Sequence, residues 1–198
     1  MSIKKIITGL TLSMLLASGV ASAADFSKGL QAYKAGDFKT ALAEWTPLAE
    51  QGNADAQFNL ALMYDNGRGA PENDKTAVKW FTKAAEQGLA GAQSYLGAMY
   101  ANGEGVPKND KTAVKWYTLA AEQGNAIAQS NLGAMYANGV GVLTDMQRAY
   151  MWLSLGSYNG AEVAGRNKDK VATIMTPADI SKAQDMSSAC LESNYTDC

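Results

Sequence analysis

Histidine is absent from this chain, and its absence restricts the catalytic and metal chemistry that the chain can perform. Histidine is the most frequent general base near neutral pH and the commonest metal ligand. Ser-His-Asp sites, Cys-His sites and histidine-based zinc sites therefore cannot be built. A serine–lysine nucleophile pair is chemically available, but no motif points to one. The carboxylates Glu72, Asp74, Asp110 and Glu122 occupy predicted loops and helix ends, where acidic residues are expected without catalysis.

The glycine-rich loops and the tryptophans are the other features of the sequence that could bind a ligand. The loops NGRG, NGEG and NGVG lack the lysine and the preceding strand of a phosphate-binding loop, so we interpret them as turns between helices. Trp80, Trp116 and Trp152 are 36 residues apart, and this regular helical spacing favours a place in a core over ligand stacking. We predict no catalytic residue, no metal site and no cofactor.

The two cysteines of the chain, Cys190 and Cys198, lie close together near the C-terminal end. In an oxidising compartment such a pair can form a disulfide that holds a tail which would otherwise fray. Two free thiols are the alternative. We favour the disulfide, and because the loop is short we expect it to stabilise the tail more than the domain.

Residues 1–23 have the pattern of a secretory signal peptide. Lys4 and Lys5 precede a mostly apolar stretch, and Ala21-Ser22-Ala23 fits a small-residue cleavage site. The apolar stretch is shorter than the roughly 20 residues that cross a bilayer, so we expect cleavage after Ala23 and a periplasmic or secreted location without membrane insertion. The net charge is −2, and the basic residues form no cluster in the sequence. Both features argue against nucleic acid or an anionic membrane surface as a partner.

One segment of the chain recurs with a fixed offset of 36 residues, which is typical of stacked helical repeats. In each copy an apolar pattern with helical spacing is followed by a glycine loop and a second helix. Asn73 or Asp74 begins that helix in the first copy, and Thr144 or Asp145 begins it in the last. The predicted units are an N-terminal capping repeat over 24–52, repeats over 53–88, 89–124 and 125–160, and C-terminal capping helices over 161–198.

The repeated motifs are A-x-A-Q-x-x-L-G-x-M-Y-x-N-G-x-G-V-P and D-x-x-x-A-x-x-W-Y-x-x-A-A-E-Q-G. They resemble the Sel-one-like repeat, a relative of the tetratricopeptide repeat, and residues 24–52 resemble a tetratricopeptide-like unit. The resemblance implies an all-α, right-handed superhelix in which the first helices line a concave face. It also implies a protein-binding adaptor or regulator of bacterial envelopes or eukaryotic secretory compartments.

The same resemblance implies that the concave face is lined by side chains that vary between repeats. Small residues there would leave a shallow groove for a helix or an extended peptide, or would merely permit tight helix packing. We see no lysine or arginine in the groove, so a clamp for a C-terminal carboxylate is not expected. The expected partner-binding residues are Asp55, Phe58, Asn59, Leu62, Asp65, Ser94, Tyr95, Ala98, Ser130, Asn131 and Ala134.

The sequence therefore predicts an exported, non-enzymatic repeat scaffold that binds another protein or peptide of the periplasm or envelope. A structural accessory of an envelope complex, such as the flagellar motor, is an alternative. An enzyme acting on cell-wall or β-lactam substrates is a third, but secreted relatives linked to such ligands carry paired cysteines in each repeat and this chain does not. Partner identity and oligomeric state are left open.

Overall fold

A computed structural model describes residues 24–196 and 198, and within them the secondary structure is entirely helical. The predicted signal peptide lies outside these residues. None of the helices in the described part is both long enough and apolar enough to cross a membrane. The helices are α1 (Phe26–Lys34), α2 (Phe38–Glu50), α3 (Ala54–Asp65), α4 (Asp74–Glu86), α5 (Ala90–Asn102), α6 (Asp110–Ala121), α7 (Ala126–Asn138), α8 (Met146–Tyr158), α9 (Glu162–Ala172) and α10 (Pro177–Glu192).

Consecutive helices pack against each other from α1 to α9, which gives the α-solenoid expected from the repeats. We call α3, α5 and α7 the first helices of the three repeats, and α4, α6 and α8 their second helices. Side-chain caps set the starts of the second helices, since the side chains of Asn73, Asn109 and Asp145 accept hydrogen bonds from backbone N–H groups in the first turn. Of the alternatives left open by the sequence, Asn73 and Asp145 are therefore the caps.

The second glycine of each loop joins one repeat to the one before it. A Cβ added to Gly105 would lie 2.5 Å from the carbonyl oxygen of Asp74, and one added to Gly141 would lie 2.5 Å from that of Asp110. Both glycines also have positive φ. Glycine is needed at these positions because the loop backbone lies directly against the first residue of the preceding repeat's second helix.

The core runs through the repeats and is built largely from alanine and aromatic side chains. Ala77, Ala113 and Ala149 are equivalent positions of the second helices, and each is fully buried. Trp80 and Trp152 are buried as predicted, whereas Trp116 is half-buried and packs at the edge of the core. The deeper position is the next one along the helix. It holds the buried side chains of Phe81, Tyr117 and Leu153.

A ladder of buried glutamines connects neighbouring repeats. Gln93 in α5 donates its amide to the carbonyl oxygen of Ala85 at the end of α4, at 3.1 Å. Its own side-chain oxygen accepts a hydrogen bond of 2.7 Å from Gln123. Because both ends of the buried amide are satisfied, the ladder links repeats without leaving a polar group unpaired. The equivalent contacts are Gln57 to Ala49, Gln87 to Gln57, Gln129 to Ala121 and Asn159 to Gln129.

The C-terminal segment returns onto the last repeat. The side chain of Thr176 caps α10 by accepting from the backbone N–H of Asp179, as the Thr-Pro sequence predicts. Helix α10 packs on α8 and buries Cys190, which forms a disulfide with Cys198. Helix α9 instead packs on α7 and α8, so it continues the row of first helices.

Candidate functional site

The exposed surface of the first helices is the candidate functional site, and we call it the first-helix face. It is formed by α3, α5, α7 and the added helix α9. Helices α3, α5 and α7 carry no lysine or arginine, whereas the second helices α4 and α6 carry several lysines. Large apolar side chains also lie open on this face, since Tyr95 is 42% exposed and Ile127 is 64% exposed.

An aromatic cluster supports the middle of the face from below. The rings of Phe81 and Tyr95 stack with centroids 5.0 Å apart, and Phe58 contacts both, with centroid distances of 5.8 Å. The ring of Phe58 also lies against α5 beside Gly91. Packing of this kind holds Tyr95 in one orientation, so part of its ring is presented to solvent as a fixed surface.

An apolar depression of about 210 Å³ lies between α5 and α7. Tyr95, Ala98 and Ile127 supply its apolar wall, and Asn131 adds an amide at its edge. The depression can take one large apolar side chain, with the amide beside it available to a peptide backbone.

A second depression, of about 290 Å³, has both polar and apolar side chains in its wall and shares Asn131 with the first; we call it the polar depression. Asn102 and Asn138 lie at its loop edge, together with an ion pair in which Lys108 Nζ is 3.6 Å from Asp110 Oδ1. Tyr117 lies at its base. Burial raises the pKa of Tyr117 to about 12, although a hydrogen bond from Asn131 acts in the opposite direction. The phenol therefore stays neutral and acts here as a hydrogen-bonding group.

Asp65, at the C-terminal end of α3, is a carboxylate whose charged form is disfavoured by its surroundings. Burial raises the pKa of Asp65, and the charges of Asp74, Glu104 and Glu72 raise it further. Glu104 also contributes to the raised pKa of Tyr117, and it accepts a hydrogen bond of 3.1 Å from Asn102, which lies in the wall of the polar depression. Within the described part of the chain, no cluster of acidic or cysteine side chains has the arrangement of a metal site.

A third depression, of about 300 Å³, lies between α7 and α9. Its wall includes Ala134 and Ala137 on α7, and Asn167 and Lys170 on α9. Lys170 is thus a second lysine on this face, after Lys108 in the polar depression, and it lies at the end of the row of first helices that is opposite to α3.

The predicted groove residues differ in how much of their surface is exposed. Ser94 and Ser130 contribute almost no surface, since they are 6% and 8% exposed. They occupy the position of Phe58, and a serine at that position is short enough to end between the helices. In addition, α8 approaches the backbone at Ser130 through Gly156. Both side chains are therefore mostly covered by helix packing, although Ser94 still forms part of the wall of the apolar depression.

The remaining predicted residues fall into two groups. Tyr95, Ala98, Asn131 and Ala134 line the depressions. The others lie on α3 outside them, and of these Asp55 is exposed. The half-buried residues of α3 are Phe58, Asn59, Leu62 and Asp65, and Phe58 and Leu62 pack on the core.

Several residues of the face were missed by the sequence reasoning. Ile127 is its most exposed large apolar side chain, and Tyr117 reaches the face from the second helix α6. Lys170 was assigned to a capping segment. The sequence does contain a signal for the position of this lysine. Ala164 lies 36 residues, one repeat length, after Ala128, and this spacing marks α9 as a further first helix.

Comparison with known proteins identifies the repeats. The family model described as Sel1 repeat matches residues 54–89, 90–125 and 126–160. None of the curated protein sequences matches this chain. A Sel1 repeat protein from Oxalobacter formigenes is similar in structure, with a TM-score of 0.70 and 35% identity over 73% of this chain and 59% of its own.

A second similar structure is a protective antigen of uropathogenic Escherichia coli strains that displays an SLR fold. It has a TM-score of 0.59 and 28% identity over 83% of this chain and 45% of its own. The chain thus spans less than two thirds of the length of either structure. Three consecutive matches that together cover more than half of the chain establish its family. This protein belongs to the Sel1 repeat family.

Proposed function

We propose that this protein is an exported, non-enzymatic scaffold that binds another protein of the bacterial envelope through its first-helix face. Sel1 repeat proteins generally mediate protein–protein interaction and are typically non-enzymatic. The finer parts of the proposal, namely export, the envelope and the binding face, are supported by features of this chain.

The observation that carries the proposed binding face is the exposure of Tyr95 and Ile127 beside one apolar depression. Folding alone gives no reason to keep two large apolar side chains in water next to each other. Such side chains at the edge of a pocket are typical of interaction sites. Asn131 then offers an amide at the same place, as expected for a site that holds a peptide backbone as well as a side chain.

Export is supported by two independent features. Residues 1–23 have the order of charge, apolar stretch and small residues that a signal peptidase recognises. The disulfide between Cys190 and Cys198 is of a kind that persists in oxidising compartments. Mass spectrometry of the protein from a periplasmic extract should find an N-terminus at Ala24 if this part of the proposal is correct.

Cross-linked capture from the periplasm tests the binding face. The best variant is Ile127→Asp, because this side chain is exposed and can be charged without disturbing the core. Phe58 and Leu62 are less suitable, since both pack on the core. We expect Ile127→Asp to reduce capture of the main partner by about tenfold or more, as loss of a buried apolar anchor does.

The matched control is Leu143→Asp, which introduces the same charge at a loop residue that is 90% exposed and lines none of the three depressions. Both variants should keep the helical circular dichroism spectrum of the wild type. Equal capture by the wild type and Ile127→Asp would show that the partner binds elsewhere.

A further inference from the structure

We infer that the outer side of α4 and α6 is a second binding surface, which takes an acidic helix of another protein in the way that α8 takes α10. This surface is separate from the first-helix face, so the inference goes beyond the proposed function. It rests on the contact between α8 and α10, which shows how a second helix of this stack holds a further helix.

Each second helix has a row of side chains at intervals of four residues, and we call this row the outer stripe. Side chains with this spacing are neighbours on one side of an α-helix. The outer stripe consists of Gln147, Met151, Leu155 and Asn159 on α8, of Lys111, Lys115, Leu119 and Gln123 on α6, and of Lys75, Lys79, Lys83 and Gln87 on α4.

Helix α10 and the tail after it cover the outer stripe of α8 from one end to the other. Gln147 donates a hydrogen bond of 2.7 Å to Asp179 at the start of α10. Asn159 is hydrogen bonded to Tyr195, which follows α10. Between these ends, the buried stripe residues belong to the same cluster as the buried Cys190 of α10. An acidic side chain, a face of small residues and a phenol therefore hold this helix in place.

The same stripe is open to solvent on α6. Leu119 is 37% exposed, whereas the equivalent Leu155 beneath α10 is 1% exposed. The other stripe residues of α6 are also exposed, namely Lys111, Lys115 and Gln123.

The turn beside each stripe shows the same difference. A Cβ added to Gly124 would lie 3.2 Å from the ring of Tyr195, whereas one added to the equivalent Gly88 would meet no atom within 4 Å. Next to Gly88, Gln123 occupies the place that Asn159 has beside the tail. The end of the α6 stripe can therefore receive a phenol as the end of the α8 stripe does.

The open stripes are basic, because the repeats collect lysines that are dispersed in the sequence. None of these lysines takes part in the ion pairs of the described residues. Glu86 and Glu122 are the exposed acidic residues near the ends of the two helices. The stripe lysines outnumber them, so a partner helix with acidic side chains would complement the surface. These lysines are Lys75, Lys79, Lys83, Lys111 and Lys115.

Helix α10 itself has the required chemistry, since it carries Asp179, Asp185 and Glu192 against Lys182. On α6, Lys111 replaces Gln147, so an acidic residue at the place of Asp179 would meet a cation instead of an amide. The occupant is a helix of another protein, because α10 of a second copy is tethered beside its own α8 at high effective concentration.

A synthetic peptide of residues 176–198, closed by its disulfide, is the probe. A side-chain staple between positions 178 and 182, which are both exposed in α10, keeps it helical and leaves its acidic residues unchanged. Circular dichroism checks the helix. Fluorescence anisotropy of the labelled peptide then measures its Kd for the full exported chain. We expect saturable binding that weakens as salt is raised, because exposed charges are screened.

Two variants of the α6 stripe test the contact. Lys111→Glu combined with Lys115→Glu should raise Kd by about tenfold or more at low salt, since attraction becomes repulsion. Leu119→Ser should raise Kd by about fivefold through loss of an apolar contact, at low and high salt alike. The matched control combines Lys34→Glu with Lys170→Glu. It makes the same change in net charge at exposed positions of α1 and α9 and should leave Kd unchanged.

The outcomes separate this inference from the proposed function. A helical peptide that fails to bind, or that binds the wild type and both stripe variants equally, would overturn the inference and leave the first-helix face untouched. Loss of peptide binding in Ile127→Asp would place the peptide on the first-helix face and would also overturn it. Sedimentation of the chain with phosphatidylglycerol vesicles through the stripe lysines, without peptide binding, would show that the surface contacts a membrane instead.

Discussion

The phenol of Tyr195 and the side-chain amide of Asn159 are hydrogen bonded in both directions. Asn159 Nδ2 donates to Tyr195 Oη at 2.8 Å, and the phenol donates to Asn159 Oδ1 at 3.1 Å. Asn159 also donates to Gln129, at the place where earlier repeats have Gln87 and Gln123. The C-terminal tail thus completes the glutamine ladder where the repeats end. The disulfide, which encloses Tyr195, holds it there.

Tyr195→Phe should lower the free energy of unfolding by about 1 kcal/mol, because it removes the hydroxyl that joins the tail to Asn159 while keeping the ring. Urea unfolding followed by circular dichroism measures this change. The control is Tyr158→Phe, which removes a hydroxyl from a side chain that is 73% exposed and should leave stability unchanged. Similar effects of the two substitutions would mean that the tail contributes nothing through this contact.

Gln93→Glu should lower the free energy of unfolding by about 3 kcal/mol at neutral pH. The substitution replaces a buried amide donor by a carboxylate that faces the carbonyl oxygen of Ala85. Gln123→Glu places the same group at the exposed end of the ladder, where water can solvate it, and should cost much less. Thermal unfolding of both variants at neutral and acidic pH measures this. The deficit of Gln93→Glu should decrease on acidification, because protonation restores a donor, and a deficit independent of pH would contradict this explanation.

Gly133→Ala should destabilise the protein by about 1–3 kcal/mol, as overpacking of a core does. The added Cβ would lie 2.7 Å from Leu153 Cγ and 3.0 Å from the carbonyl oxygen of Ala149, so α7 and α8 would have to separate. Gly91→Ala is the matched control. Its Cβ would meet Phe58 at an ordinary distance of 3.4 Å, and alanine is the better helix former by about 1 kcal/mol.

Chemical denaturation of the two glycine variants measures the difference. We expect Gly133→Ala to unfold at a lower denaturant concentration than the wild type, and Gly91→Ala at an equal or higher one. A stable Gly133→Ala protein would show that the two helices are not in such close contact.

Asp65→Asn should stabilise the protein at neutral pH and lose this advantage in acid. Burial, together with Asp74, Glu104 and Glu72, raises the pKa of Asp65 in the folded state. The ionised folded state is therefore penalised above that pKa, and the penalty falls as pH drops through the folded pKa towards the unfolded one. Below both values, Asp65 is protonated in either state and the variant should match the wild type.

Urea unfolding between neutral and acidic pH measures the stability of both proteins. Asp55→Asn is the control, because it makes the same change at an exposed position of the same helix. An Asp65→Asn variant less stable than the wild type at neutral pH would show that the carboxylate is stabilising where it lies.

The repeat architecture could be predicted because its signals are local. The period of 36 and the Thr-Pro start of α10 each depend on residues that are near in sequence. For the caps of α4 and α8 the sequence left two candidates each, and the structure assigns Asn73 and Asp145. Exposure within a helix was harder to predict. Trp116 is half-buried although it matches buried tryptophans in the other repeats, because its environment depends on the neighbouring helices and not on its own period.

The candidate site was predicted only in part. Its helices and the exposed Tyr95 follow from the repeat pattern, since a stack of hairpins has to leave one side of each first helix uncovered. The burial of Ser94 and Ser130 did not follow, because it depends on side-chain length and on how closely the next helix approaches.

The sequence by itself determined the repeat unit, the order of the helices within it, the absence of histidine chemistry and the family. Only the tertiary structure decided which residues meet across repeats. Asp65 and Glu104 come from different repeats, and Tyr195 reaches Asn159 only after α10 has turned back onto α8. Contacts of this kind are set by the packing of whole helices. The distance between two such residues in space cannot be read from their separation in the sequence.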